Sequence, residues 1–131
     1  LSPNYGAGGI MPMNDNVTLT KGPLDVEKWN EGFMSGVKRW KGAQVQRSGL
    51  GDSISSNGKM FCEMYTTMRQ ISMRIKLPRT HQQRAIQSNM ARPVRNKDAA
   101  NDGWVEITID SDAALQDALT LARQGYLETQ R

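Results

Sequence analysis

The dipeptide Asn57-Gly58 stands between two runs of extended character, SISS before it and KMFCEMY after it. Both residues tolerate positive φ, as the type I′ turn of a two-residue hairpin demands, so the stretch predicts two tightly joined antiparallel strands. A lone hairpin is marginal in water, and the neighbouring sequence supplies further strands. Ala43 to Arg47 is a candidate strand upstream. Downstream, Arg69 to Leu77 alternates Ile71, Met73, Ile75 and Leu77 with Ser72, Arg74 and Lys76. One face of that strand is apolar and the other basic, and Pro78 closes it. Trp104 to Ile109 (WVEITI) repeats the pattern, with Val105, Ile107 and Ile109 on one side and Trp104, Glu106 and Thr108 on the other.

Helical periods flank these strands. Val26, Trp29, Phe33, Val37 and Trp40 fall on one stripe, with Asp25 as N-cap and Gly42 just past the end. Gly32 and Gly36 inside this helix weaken it by about 1 kcal/mol each relative to Ala. Close approach of another backbone is the expected compensation, and a helix-dimerisation face is the functional alternative. Thr80 is positioned to cap a short helix through about Asn89, with Pro93 in the connection after it. A last helix begins at Asp110 or Ser111 and buries Leu115, Ala118, Leu119, Ala122 and Tyr126. Strands grouped between helices, rather than alternating with them, predict an α+β domain: an antiparallel sheet of four to five strands with helices packed on one face.

That domain is expected to span residues 24–131. Residues 1–23 are rich in Gly and Pro and follow neither period, which predicts an extended arm. Its apolar residues, Tyr5, Ile10, Met11 and Met13 foremost, would tie it to the body or to a protein partner, including a second copy of the chain. The first residue is Leu rather than Met. Removal of a leader and trimming of the chain are both open, so the expected compartment is the cytoplasm, or an organellar matrix or stroma if a leader was removed.

Composition narrows the chemistry. The chain has 131 residues, a single Cys and a single His, too few for a disulfide framework or a structural zinc site. No window approaches the roughly 18 apolar residues of a membrane span, and the mean hydropathy is −0.61. Insertion into a membrane is not expected, nor is any cofactor. Cys62 and His81 could be imagined as nucleophile and base, but Cys62 between Met60 and Met64 suits a buried thiol better. Asp98, Asp102, Glu106, Asp110 and Asp112 only partly meet the alternate spacing of a calcium loop, and Asp110 and Asp112 have a simpler use at a helix N-terminus. The glycines of YGAGG lack the strand and helix that a phosphate loop requires. Neither catalytic residues nor metal ligands are expected, and the chain reads as a non-enzyme.

Charge is the strongest functional lead. The net of +4 hides a segregation: residues 64–97 carry eight cations and no acid, and residues 98–128 carry seven acids against Arg123. Arg69, Arg74, Lys76, Arg79, Arg84, Arg92, Arg95 and Lys97 are the candidate contacts to an anionic partner, nucleic acid or an acidic protein surface. Tyr65 is the only aromatic between residues 62 and 103. On sequence alone, backbone or shape recognition of a duplex or structured RNA therefore fits better than base stacking. The alternative is a small accessory subunit of a larger complex anchored by the Met-rich arm.

The succession NGKMFCEMY, QISMRIKLPRTHQQRAI, DGWVEITID and ALTLARQGYLE, over about residues 25–128, resembles the TfoX N-terminal and MmcQ/YjbR-like group of small α+β domains. Where the TfoX branch carries Arg-Met-Phe-Gly-Gly, this chain has RSGLGDSIS. The resemblance implies an α+β fold and a regulatory or binding role, and it brings no catalytic residues with it.

Overall fold

The computed structural model describes residues 23–131. Helix α1 (Pro23–Val37) is followed by strands β1 (Gln44–Ser48), β2 (Gly51–Ser56), β3 (Lys59–Thr66) and β4 (Ile71–Lys76). Then come helix α2 (Arg79–Gln87), a two-residue strand β5 (Arg92–Pro93), the short helix α3 (Lys97–Asn101), β6 (Trp104–Ile109) and helix α4 (Asp112–Thr129). The six strands form one antiparallel sheet in the order β1-β2-β3-β4-β6-β5. The expected α+β class holds, with one strand and one helix more than periodicity alone indicated. β5 is too short to show alternation, and Pro93, which has no N–H to give, keeps it at the edge of the sheet. In α3, Asn96 accepts from the Ala99 N–H at 2.9 Å, a capping signal in a stretch too short for a helical period to repeat.

The hairpin forms at Asn57-Gly58, with φ of 53° and 73°, both in the left-handed region of a type I′ turn. Beyond it the register is interrupted: Ile54 pairs with Cys62 but Ser55 pairs with Met60, leaving Phe61 as an extra residue. A bulge of this kind turns two successive side chains to the same side. Phe61 and Cys62 are consequently both buried, while Met60 is 38% exposed. Strict alternation, which grouped Met60 with Cys62 and Met64, is overturned here for that reason.

One continuous core lies between the sheet and helices α1 and α4. It takes Ile71, Met73 and Ile75 from β4, Val105, Ile107 and Ile109 from β6, and the stripe Val26, Trp29, Phe33 and Val37 from α1. Helix α4 adds Ala118, Leu121, Ala122 and Tyr126. The two helices run parallel. Trp29 Nε1 donates to Asp112 Oδ1 at 2.8 Å, Leu115 sits on Gly32, Leu119 on Gly36, and Arg123 lies over the Trp40 ring, so each contact falls 83 residues along the chain.

A Cβ at Gly36 would lie 2.8 Å from Leu119 Cδ2 and one at Gly32 3.1 Å from Leu115 Cδ2. The two glycines thus accommodate leucine side chains of α4 rather than another backbone, and this face is used within the chain rather than for helix dimerisation. It also leaves Leu115 and Leu119 only half-buried. Two helix starts differ from expectation. α1 begins two residues before Asp25, which lies in its first turn, and α2 begins at Arg79 with Pro78 rather than Thr80 in the capping position. Pro fixes a φ compatible with helix entry and so outcompetes a hydroxyl cap two residues on.

Candidate nucleic-acid interface

Because side chains alternate along a strand, the residues opposite the core line the other face of the sheet. No helix among the described residues covers the centre of that face, and its side chains are half-buried or exposed. Three rows cross it. Glu63, Arg74, Glu106 and Arg92 are successive partners across β3, β4, β6 and β5. Tyr65, Ser72 and Thr108 form a second row, and Lys76 pairs with Trp104 in a third. Tyr65 is 49% exposed. A shallow groove of about 240 Å³ runs between Tyr65, Ser72, Arg74, Arg92, Glu106 and Thr108.

The polar groups of this face hold one another. Arg74 Nε lies 3.7 Å from Glu106 Oε2, and the Arg92 guanidinium donates to Thr108 Oγ1 at 2.9 Å. Glu63 faces Arg74 from the other flank. The basic face expected of β4 is therefore tempered at its centre by two carboxylates, one from each neighbouring strand.

Of the eight expected cations, Arg74, Lys76 and Arg92 lie on this face. Arg69 sits in the β3–β4 turn, at the opposite end of β4 from Lys76. Arg79 and Arg84 belong to α2, Arg95 follows β5 and Lys97 opens α3. They do not form a single patch. The acidic C-terminal segment nonetheless leaves most of them without an ion pair: of these eight, only Arg74 makes one among the described residues. Asp112 is taken by Trp29 and by Lys28 at 3.8 Å, and Glu128 by Arg131 at 3.0 Å.

The remaining candidates fall elsewhere. Cys62 is fully buried, and burial, with Glu63 beside it, pushes its thiol above the ordinary range, so it stays protonated at neutral pH. His81 lies on α2 with a buried Nδ1 that has no hydrogen-bond partner among the described residues. Among the described residues no three His, Cys, Asp or Glu side chains gather as a metal site would require, and no helix is long and apolar enough to cross a membrane. The arm residues Tyr5, Ile10, Met11 and Met13, and the YGAGG glycines, lie outside the described residues.

Sequence order concealed the aromatic content of the face. Tyr65 and Trp104 are far apart in the chain, yet β3, β4 and β6 are adjacent, which puts both rings on one surface with cations around them. The alternation in WVEITI already set Trp104 opposite the buried side of its strand; the strand order was the missing information. No family model, no curated protein and no solved structure matches the chain.

Proposed function

We propose that the chain is a non-catalytic binding module that takes nucleic acid, in single-stranded form, on the helix-free face of its sheet. The observation that carries this reading is that Tyr65 and Trp104 share that face with Arg74, Lys76 and Arg92, the rings standing in rows four residues apart along β4 with Arg74 in the row between them. Bases stack on aromatic rings whatever their identity, while cations track the phosphates between them. An antiparallel sheet face without a helix over its centre is a suitable support, since it presents side chains at regular spacing and leaves bases room to splay. The resemblance to TfoX and YjbR-like domains, which implies a regulatory or binding role, points the same way. This replaces the preference for duplex that sequence order suggested, because the second ring becomes available only when β6 lies beside β4.

The test is fluorescence anisotropy with a labelled single-stranded oligonucleotide and a duplex of the same sequence. Single-strand binding is expected to exceed duplex binding, and Tyr65→Ala or Trp104→Ala to weaken it by about 5- to 100-fold each. Preference for duplex with both ring variants harmless would overturn the stacking role. No retention on any polyanion at about 0.1 M salt would overturn nucleic-acid binding altogether.

A further inference from the structure

We infer that the chain has a second ligand site, which shares Lys76 with the edge of the sheet face: a cleft where β3 begins and β4 ends that takes a phosphate monoester carried on an organic body. The cleft measures about 500 Å³ and is lined by Lys59, Lys76 and Arg79. These three cations come from three different elements, the first residue of β3, the last of β4 and the first of α2. All three are exposed, and none makes an ion pair among the described residues. Lys59 lies outside the basic segment of residues 64–97, so the cluster is a product of the fold rather than of local composition.

The other charges of the cleft favour an anion. Glu128 on its wall is bridged by Arg131 at 3.0 Å, which offsets part of its charge. Asp102 at the rim is an acceptor for a hydroxyl on the ligand. Three cations against Asp102 and the bridged Glu128 leave an excess of positive charge, which suits the two charges of a phosphate monoester better than the single charge of a carboxylate. Met60, Phe61, Leu77 and Pro78 supply an apolar wall, and a cleft of this size falls within the range that holds a small organic molecule rather than an ion alone. A nucleoside 5′-monophosphate and the 5′-phosphorylated end of an oligonucleotide present the same chemistry here.

The experiment is titration of the whole chain with AMP, with a 5′-phosphorylated short oligonucleotide and with its 5′-hydroxyl counterpart, followed by isothermal calorimetry. Binding of AMP, or tighter binding of the phosphorylated over the hydroxyl oligonucleotide, is expected, and the pair of results tells a free ligand from a chain end. Lys59→Gln, Lys76→Gln and Arg79→Gln should each weaken that binding about tenfold or more, with thermal midpoints unchanged, whereas Arg84→Gln, outside the cleft, should leave it intact. Absence of AMP binding together with equal affinity for the two oligonucleotides overturns the site, as does equal loss in Arg84→Gln. Because Lys59 and Arg79 are not on the helix-free sheet face, Lys59→Gln and Arg79→Gln should leave the single-strand binding of a 5′-hydroxyl oligonucleotide untouched, so either proposal can fail without the other.

Discussion

Replacing Glu106 by Gln offers a sharp test of the sheet face, because it should strengthen binding. Arg74 is flanked in register by Glu63 and Glu106, and its Nε lies 3.7 Å from Glu106 Oε2. With Arg74 occupied, Lys76 and Arg92 are the cations of the face left to meet phosphates. For single strands the logarithm of affinity falls with the logarithm of salt with a slope of about −0.7 per neutralised phosphate, so two contacts give roughly −1.4 and three give roughly −2.1. Glu106→Gln removes the repulsive carboxylate and releases Arg74, so affinity at about 50 mM salt should rise and the slope should steepen by about 0.7. Both groups are more than a third exposed, and pairs of that kind contribute roughly 0–1 kcal/mol, so the fold should tolerate the change. Anisotropy titrations at four or five salt concentrations, with a thermal melt as control, measure both quantities. An unchanged slope with unchanged affinity would mean that Arg74 never meets a phosphate, and the sheet-face reasoning would fail with it.

Other outcomes test the fold. Gly125→Ala places a Cβ 2.7 Å from the Lys76 carbonyl oxygen, so α4 must lift from β4 at a cost of about 1–3 kcal/mol in chemical denaturation; an unchanged midpoint would contradict the close approach. Asn57→Ala loses both a residue suited to positive φ and the Nδ2 donation to the Thr129 carbonyl at 3.0 Å, and should lower stability by about 1–3 kcal/mol, more than Asn57→Gly does. For Cys62 the folded pKa lies above the unfolded value, so its contribution is complete below the ordinary thiol range near about 8.5 and is lost as pH rises past it, when only the unfolded thiol ionises. Stability should therefore fall more steeply above that pH in the natural chain than in Cys62→Ala, and a thiol reagent should react only at the rate of unfolding.

Much of the fold was legible because local physics wrote it into short stretches. Asn57-Gly58 specified its own turn, WVEITI matched the sixth strand residue for residue, and the α1 stripe named its buried face. What local pattern could not show was anything that depends on a distant partner. The bulge at Phe61 arises from how β3 meets β2, and strict alternation therefore misassigned Met60. Gly32 and Gly36 announced a close approach without naming the leucines of α4 that make it. Short elements escaped for a different reason: a two-residue strand and a five-residue helix are too short for their period to repeat.

The candidate sites divide along the same line. Amino-acid order by itself determined the α+β class, the hairpin, the core stripes and the abundance of cations in residues 64–97, because each depends on spacing within a few residues. Only the tertiary structure decided what those cations meet: strand pairing set Glu106 and Glu63 against Arg74, left the others without an ion pair among the described residues, and carried Trp104 to the face of Tyr65. It likewise brought Lys59 to Lys76 and Arg79 across the end of the sheet. Electrostatic and stacking interactions act through space over a few ångströms, so they belong to whichever residues the strand order makes neighbours, and no reading along the chain contains that order.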